Sequence, residues 1–378
     1  MLLFTYSTKE VIYQLSIILT EKCNLNCAYC YCDKSKSNSI SSEKAIESID
    51  QFILQQPEES AIFNILFIGG EPFMEFSLMK EIVNHTLQTY PHRKVNFKAV
   101  TNGTLIHGEV QQWLIENQKH FSVELSLDGE AESQNKERCN TYNKIDIDFF
   151  SKGLKQAIVN KVISPENIHT LANDIIALEQ QGFYVKAVIA DGVEWSKEKD
   201  IDTFSLQLKA LIDHYLTHPK QVPFNLLSNA LYCLTNSPNT LTKCQAGSSS
   251  YSIDTNGDKL PCHRCSDYYN NGDWKIPQEQ ISLLATDALS SKCKECLVFP
   301  ICSSCPASIA SKLNNTEQCE AYCLMMKSLF HANAYFIVQM LLNCPDHIYF
   351  ENRPKDQIAA SYAGAKKIFA QLDSTQPF

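Results

Sequence analysis

Six short apolar runs alternate with amphipathic stretches between residues 11 and about 190, and this alternation constrains the fold most. Several runs are apolar almost without interruption, which is typical of strands covered on both faces. The predicted strands are 12–19, 62–68, 95–100, 121–127, 157–162 and 183–190. The predicted helices are 42–55, 77–89, 109–117 and 165–181. The last begins at Pro165, with Ser164 as its N-cap.

Alternating strands and helices predict an α/β fold whose parallel sheet is connected by right-handed crossovers. Six such units predict an open, partial (β/α)6 barrel of the TIM type over residues 1–195. We expect a mostly helical connection over 196–243, a Cys-rich, loop-rich segment over 244–325 and a C-terminal helical segment over 326–378. In parallel α/β folds the chemistry gathers where the strands end. The Cys-rich segment has few apolar residues, so we expect bound metal to stabilise its fold.

Charge and targeting signals restrict the partners. The net charge is −9 and no polybasic block occurs, which argues against a nucleic-acid partner. The chain starts without the features of a secretory signal, and its most apolar helical stretch is too short and too polar to span a bilayer. We therefore expect a cytoplasmic protein without a membrane partner.

The 16 cysteines are unevenly distributed, with four between Cys23 and Cys32 and nine between Cys244 and Cys323. In a reducing compartment, clustered cysteines bind metal or do redox chemistry more often than they form disulfides. Three cysteines stand apart and are expected to be small buried hydrophobes. They are Cys139, Cys233 and Cys344.

The first group contains Cys23, Cys27 and Cys30 with the spacing C-x3-C-x2-C, directly after the first predicted strand. Three thiolates can hold three irons of a [4Fe–4S] cluster and leave the fourth iron open, as catalytic metal sites do. Spacing alone also leaves open a zinc site completed by Cys32.

The surroundings of these cysteines resemble the radical S-adenosylmethionine (SAM) superfamily. In that family the three cysteines bind the cluster, and SAM chelates the open iron through its amino and carboxylate groups. Four short motifs at the ends of successive strands match: the cysteine loop, Gly-Gly-Glu-Pro, Thr-Asn-Gly and Ser-Leu-Asp-Gly. Taken singly, the glycine motifs are also ordinary turns. The resemblance implies SAM contacts at Tyr29, Gly69, Gly70, Glu71, Asn102, Ser126 and Asp128.

One stretch departs from the family pattern. Peptide-modifying relatives often follow the Asp-Gly pair with His-Asp and then Arg, where this chain has Gln134, Asn135 and Arg138. Arg138 is a candidate catalytic residue near SAM or substrate. The alternative is an ordinary surface arginine.

The second cysteine group resembles the SPASM extension of radical SAM enzymes, which carries two auxiliary [4Fe–4S] clusters. By that resemblance the inner cluster is bound by Cys244, Cys262, Cys305 and Cys323. The outer cluster is bound by Cys293, Cys296, Cys302 and Cys319. Cys265 is a ninth cysteine that either replaces one of these ligands or stays free. A zinc ribbon would explain four of the nine and leave the others without a role.

His263 follows Cys262 at the position where sulfatase-maturing members of this group have an aspartate base. A histidine can take a proton near neutral pH, so His263 is a candidate catalytic residue. A surface histidine or a hydrogen-bond donor to cluster sulfur is the alternative. The substitution argues against the sulfatase-maturase subtype.

The resemblance implies an enzyme with SAM and three [4Fe–4S] clusters as cofactors. A flavodoxin- or ferredoxin-type one-electron donor would reduce the first cluster, and SAM would yield a 5′-deoxyadenosyl radical. That radical would abstract hydrogen from a residue of a ribosomally made peptide or protein, leading to a crosslink, thioether, oxidation or epimerisation. With the cluster motif starting at residue 23, leader recognition is expected to use the barrel rim or a separate protein. A small-molecule substrate and a zinc-stapled, non-enzymatic interaction module are the alternatives.

Overall fold

The computed structural model describes residues 11–56, 60–228, 230–235, 245–270, 293, 295–302, 305 and 316–372. The chain forms two units, and each is assembled from separate stretches of sequence. The first unit consists of Met1–Ser126, Arg138–Ile158 and Gln245–Ser282. The second consists of Leu127–Glu137, Val159–Cys244 and Leu283–Phe378. The four consecutive segments expected from the sequence therefore do not coincide with the two units.

The described residues contain the six predicted strands and two more. The strands are β1 (Ile12–Thr20), β2 (Ile62–Gly69), β3 (Lys94–Thr101), β4 (Phe121–Ser126), β5 (Ile158–Ile163), β6 (Tyr184–Ile189), β7 (Ser250–Ile253) and β8 (Lys259–Leu260). The helices are α1 (Ser42–Leu54), α2 (Phe76–Thr89), α3 (Glu109–Glu116), α4 (Ala131–Glu137), α5 (Leu171–Gln180), α6 (Lys199–Thr217), α7 (Thr316–Asn343) and α8 (Lys355–Gln371). Across the ranges given above, no helix is long and apolar enough to cross a membrane.

The first unit is organised around a sheet with the strand order β4-β3-β2-β1-β7-β8. Strands β1 to β4 pair in parallel, as the sequence predicts. Aromatic rings fill its core: Phe67 lies 6.0 Å from both Phe97 and Phe121, ring centre to ring centre. The Ser41 hydroxyl accepts the backbone N–H of Lys44 and so caps α1. These parallel strands bring their C-terminal loops to one edge of the sheet, where the predicted site motifs lie.

The hairpin of β7 and β8 adds two short strands to the Cys-rich segment, which was expected to be rich in loops. Strand β7 pairs in parallel with β1, and the Ser252 hydroxyl donates to the Ser16 carbonyl at 3.0 Å. Asp254 closes the hairpin turn by accepting the N–H groups of Asn256 and Asp258, both at 2.9 Å. The sheet of the first unit is therefore extended by a segment more than 200 residues away in sequence.

The second unit contains the adjacent strands β5 and β6 together with helices α5 to α8. Helix α7 packs against α6 and α8. The hydroxyls of Ser205 on α6 and Ser328 on α7 lie 2.6 Å apart. Helix α7 begins at Thr316, which precedes the predicted boundary at residue 326. Cys323, predicted in a loop-like segment, is therefore on a helix.

The helix predicted to start at Pro165 starts instead at Leu171. The Asn167 side chain accepts the Ser164 N–H at 2.9 Å and donates to the Val162 carbonyl at 2.9 Å. The Ser164 hydroxyl donates to Glu137 at 2.7 Å instead of capping a helix. Side-chain hydrogen bonds to the backbone thus hold residues 164–167 in a turn, and the helix begins after this turn.

Candidate active site

The loop after β1 carries the three cysteines of the first group. Cys23, Cys27 and Cys30 are all partly exposed, and the Cys30 N–H donates to the Cys27 carbonyl at 3.2 Å. Each thiol is close enough to the others to influence their ionisation. Burial raises the pKa of Cys27 to about 11, partly offset by the Arg138 charge. Within the described ranges, no three Cys, His, Asp or Glu side chains are placed to hold a metal ion.

Cys32 is linked to one of the predicted ligands. A hydrogen bond from the Cys32 thiol is the main cause that lowers the pKa of Cys30 to about 5. Cys32 also packs against a buried cluster formed by Ile18, Tyr268 and Tyr269. Cys32 therefore favours the thiolate form of Cys30, which is the form that binds metal.

The glycine pair after β2 lets a second loop lie directly against the cysteine loop. The Gly70 N–H donates to the Thr20 carbonyl at 2.8 Å, and the Glu71 N–H donates to the Lys22 carbonyl at 2.9 Å. A Cβ atom on Gly70 would lie 2.0 Å from the Lys22 oxygen and 2.9 Å from the Cys23 Cβ. A Cβ on Gly69, whose φ is +142°, would lie 2.1 Å from the Thr20 oxygen. Only glycine fits at either position.

Glu71 is almost fully buried and holds the loop after β3. Its carboxylate accepts the Thr101 hydroxyl at 2.8 Å, the Asn102 N–H at 2.7 Å and the Phe73 N–H at 3.2 Å. Burial raises the pKa of Glu71 to about 7 despite these three donors. Glu71, a predicted SAM contact, therefore also connects the end of β2 to the end of β3 through hydrogen bonds.

Asn24 connects the cysteine loop to the loop after β3. The Asn102 amide donates to the Asn24 side-chain oxygen at 2.8 Å, and the Asn24 amide donates to the Thr104 hydroxyl at 2.8 Å. Asn102 also accepts the Thr104 N–H at 3.0 Å. Sequence reasoning missed Asn24 because nothing in the cysteine spacing marks the residues between the thiols.

Arg138 is buried, so the surface-arginine alternative is wrong. Its guanidinium lies 5.2 Å from the centre of the Tyr29 ring. The charge of Arg138 also lowers the pKa values of Cys27 and Glu71, although burial raises both more strongly. The structure therefore places Arg138 beside three predicted site residues.

Cys139 differs from the expected buried hydrophobe. It is exposed, and its sulfur accepts the Asn26 N–H at 3.3 Å. Its φ is +59° and that of Asn140 is +54°, an uncommon pair of left-handed conformations outside glycine.

In the second unit, the Asp128 turn is closed by Gln134. The Gln134 side chain accepts the Asp128 N–H at 2.9 Å, and the Asp128 carboxylate accepts the Val162 N–H at 2.8 Å. Gln134 stands where relatives often have histidine, and it still provides an acceptor for the turn. The turn at Asp128 is therefore hydrogen-bonded although the sequence departs from the family pattern at Gln134.

A buried ion pair that sequence reasoning missed supports the same turn. Lys161 is fully buried and donates to the Asp174 carboxylate at 3.0 Å and to the Asp128 carbonyl. A Cβ on Gly129, whose φ is +148°, would lie 2.1 Å from an Asp174 oxygen. Lysine is rarely buried without a partner, and a single sequence gives no sign of which lysine is paired.

The turn after β8 brings Cys262 and Cys265 together, with their sulfurs 3.6 Å apart. The His263 ring between them lies edge-on to Tyr269 at 5.0 Å. Burial, followed by the Arg264 charge, lowers the pKa of His263 to about 4. The lowered pKa makes the His263 imidazole a weaker base, and its candidate catalytic role stays a prediction.

The same turn packs against the cysteine loop within the first unit. The Arg264 guanidinium lies 4.4 Å from the centre of the Tyr31 ring, and the Asp33 N–H donates to the Tyr268 carbonyl at 2.8 Å. This contact connects the residues next to the first cysteine group with the residues next to Cys262.

In the second unit, Cys323 lies near three other cysteines. Burial raises the pKa of Cys323, and the neighbours that raise it further are Cys296, Cys293 and Cys302. The division of the eight predicted ligands between two clusters stays a prediction. The side chains of Cys244 and Cys319 lie outside the described residues.

Three comparisons with known proteins give matches to this chain. The family described as a 4Fe-4S single cluster domain matches residues 15–145, which include the cysteine loop. The radical SAM cyclopropyl synthase TigE of Paramaledivibacter caminithermalis is 22% identical over 197 residues, covering 46% of this chain and 40% of that protein. The structure of native anSMEcpe with bound AdoMet and Cp18Cys peptide has a TM-score of 0.67 at 19% identity, covering 88% of this chain and 99% of that one.

The chain is thus similar to a radical SAM enzyme over part of its sequence, and it shares the fold of anSMEcpe. The structure of Streptococcus suis SuiB bound to precursor peptide SuiA has a TM-score of 0.53 at 17% identity, covering 77% of this chain and 71% of that one. These matches confirm the predicted α/β fold with a parallel sheet, and they do not favour the zinc-stapled module. The stretches matched in three curated relatives span 38%, 40% and 35% of those proteins' lengths.

Proposed function

We propose that this chain is a radical SAM maturase that modifies a residue of a ribosomally made peptide or protein through a carbon radical. The proposal is supported by the cysteine loop, which contacts with the two neighbouring strand-end loops hold in place. Gly70 lies against Cys23, and Asn24 is hydrogen-bonded to Asn102. Such a loop holds its three thiols in a fixed setting while leaving them partly exposed to a ligand.

Cys23, Cys27 and Cys30 would hold a [4Fe–4S] cluster with one open iron. Their chemistry fits the cluster, because thiolates are the usual ligands of iron–sulfur centres and one iron would remain without a protein ligand and open to SAM. When bound, the reduced cluster and SAM supply a 5′-deoxyadenosyl radical that removes a hydrogen atom from a substrate carbon.

The remaining site residues would bind and orient SAM. The backbone at Gly69 and Gly70 and the Glu71 carboxylate are proposed to face its amino group. Glu71 is buried, so its interactions are strengthened by the low local dielectric. Tyr29, held by Arg138, is proposed to contact the adenine. Ser126 and Asp128 are the proposed ribose contacts, and both are buried at the end of a strand.

The second cysteine group would hold two auxiliary [4Fe–4S] clusters. Cys293, Cys296, Cys302 and Cys323 are the proposed outer set, which the proximity of Cys323 to the other three supports. Cys244, Cys262 and Cys305 are proposed for the inner one. With thiolates on all irons, such clusters act in electron transfer instead of binding SAM.

The proposed substrate is a peptide or protein, and two solved structures support this class. The anSMEcpe structure contains AdoMet and a Cp18Cys peptide, and the SuiB structure contains the precursor peptide SuiA. A flavodoxin- or ferredoxin-type protein is the proposed electron donor, and a separate leader-recognition protein is a further proposed partner. A crosslink, thioether, oxidation or epimerisation would be the result.

Isotope transfer tests the substrate class. Cells that contain this protein are grown in deuterated medium, and their extract is separated into a peptide fraction and a small-molecule fraction. Each fraction is incubated anaerobically with the reconstituted protein, unlabelled SAM and dithionite. We expect deuterium in 5′-deoxyadenosine only with the peptide fraction, and none with the Cys30→Ala variant. Deuterium transferred only from the small-molecule fraction would refute the peptide assignment.

A further inference from the structure

Cys262 and Cys265 lie on one turn with their sulfur atoms 3.6 Å apart. The turn is a single 3-10 turn over His263–Cys265, and the Cys265 N–H donates to the Cys262 carbonyl at 3.0 Å. The local backbone therefore directs both thiols to the same side. A C-x2-C turn with converging thiols is the usual form of a two-cysteine metal ligand.

The number of cysteines shows why this pair matters. Nine cysteines lie between Cys244 and Cys323, whereas two clusters with four thiolates each require eight. The proposed outer set accounts for Cys293, Cys296, Cys302 and Cys323. Five cysteines then remain for four inner positions, and Cys265 is the one whose thiol already meets that of Cys262.

The surroundings make a thiol at this position accessible. Cys265 lines a cavity of about 420 Å³ whose other walls include Leu260, Ser266 and Asp267. The Arg264 side chain is directed to the Tyr31 ring. Two thiolates as close as these repel each other, and a bound cation removes that repulsion because metal-bound thiols are deprotonated.

We propose that Cys265 is a ligand of the same auxiliary iron–sulfur cluster as Cys262. This assignment rests on the proposed function. Two thiols at 3.6 Å would also suit one tetrahedral zinc ion, so the experiments below identify the metal as well as the ligand.

Thiol footprinting of the intact protein tests the ligand directly. The anaerobically reconstituted chain is treated with iodoacetamide, digested and analysed by mass spectrometry. We expect Cys262 and Cys265 to stay unlabelled while the exposed Cys139 is alkylated. After removal of iron with chelator and oxidant and then reduction, both should be labelled. Labelling of Cys265 together with Cys139 in the iron-loaded protein, or a Cys262–Cys265 disulfide, would overturn the proposal.

Metal analysis of variants gives an independent readout. Cys265→Ser and Cys262→Ser should each lose about four of about 12 iron atoms, with matching sulfide. The control Cys344→Ser, at the end of α7, should keep them all. Wild-type iron content in Cys265→Ser, or zinc bound by this pair, would overturn the proposal. A wild-type chain without any iron would refute the proposed function itself, which separates the two failures.

Discussion

The Glu71 carboxylate accepts the backbone N–H of Asn102 at 2.7 Å, so a buried acid after β2 fixes the loop after β3. The same loop is tied to the cysteine loop through Asn24. Three consecutive strand ends therefore form one hydrogen-bonded network around Cys23, Cys27 and Cys30.

Replacing Gly70 with alanine should disrupt the contact between the first two strand-end loops. The new methyl group would lie 2.0 Å from the Lys22 oxygen, and backbone atoms must move to relieve that overlap. We expect the free energy of unfolding to fall by about 3 kcal/mol. The iron bound at the first cysteine group should fall as well. Urea denaturation and iron analysis of the anaerobic protein measure the two effects.

Gly182→Ala is the matched control for this substitution. Gly182 has a φ of +93°, but a Cβ there meets no atom within 4 Å. The free energy of unfolding of this variant should fall by only about 1 kcal/mol through backbone strain, and the variant should keep all its iron. Equal losses of iron in the two variants would show that the contact of Gly70 with the cysteine loop has no special role.

The Asn24 and Asn102 side chains should stabilise the protein as a coupled pair. Asn24→Ala and Asn102→Ala each remove the hydrogen bond between them, so the double variant should lose less than the sum of the single variants. We expect a coupling free energy of about 1 kcal/mol from a double-mutant cycle in urea. Strict additivity would mean that the two loops are not energetically connected.

Arg138→Lys should weaken SAM binding although the charge is kept. The compact lysine ammonium cannot reproduce the contact of the guanidinium with the ring of Tyr29, the proposed adenine contact. We expect the Kd for SAM to rise about tenfold, which corresponds to about 1.4 kcal/mol. Equilibrium binding to the reconstituted protein provides the measurement.

Arg93→Lys provides the comparison for Arg138→Lys. Arg93 stacks on Phe63 at 5.1 Å, away from every proposed SAM contact. Arg93→Lys should therefore lower stability and leave the Kd for SAM unchanged. If both variants weaken SAM binding equally, the role assigned to Arg138 is wrong.

Glu179→Gln should remove part of the pH dependence of stability. Burial raises the pKa of Glu179 from 4.5 to about 7, although the Tyr215 hydroxyl donates to its carboxylate at 2.7 Å. The folded protein therefore binds this proton more tightly than the unfolded chain. The free energy of unfolding should fall as pH rises from 4.5 to about 7 and then level off.

Between pH 5 and pH 8, the free energy of unfolding of the wild type should fall by about 2–3 kcal/mol more than that of Glu179→Gln. Exposed Glu43 on α1 gives the control, because Glu43→Gln should follow the wild-type pH dependence. Parallel pH profiles of the wild type and Glu179→Gln would contradict the raised pKa.

The strands of the parallel sheet were predictable from the sequence. Each predicted boundary of β1 to β6 lies within one residue of the observed one. This agreement has a physical reason, because the apolar runs are buried on the sheet and end where polar site motifs begin. Gly69 and Gly70 were also predicted from the sequence as site residues. The structure gives the reason for glycine there, because the close contact with Thr20 and Lys22 admits no side chain.

Other features depend on contacts that the sequence does not reveal. Strand β7 has four residues and β8 has two, and their position depends on pairing with the distant β1. The helix expected at Pro165 is delayed because Asn167 competes for the local backbone. The buried pair of Lys161 and Asp174 consists of charged residues that are usually exposed.

Cleavage of SAM tests the central claim most directly. The reconstituted chain is reduced with dithionite under anaerobic conditions, and 5′-deoxyadenosine and methionine are quantified. We predict equal amounts of both products from the wild type, and none from a variant in which Cys23, Cys27 and Cys30 are replaced by alanine. A wild-type chain that carries its full iron and sulfide yet forms no 5′-deoxyadenosine would contradict the proposed radical chemistry.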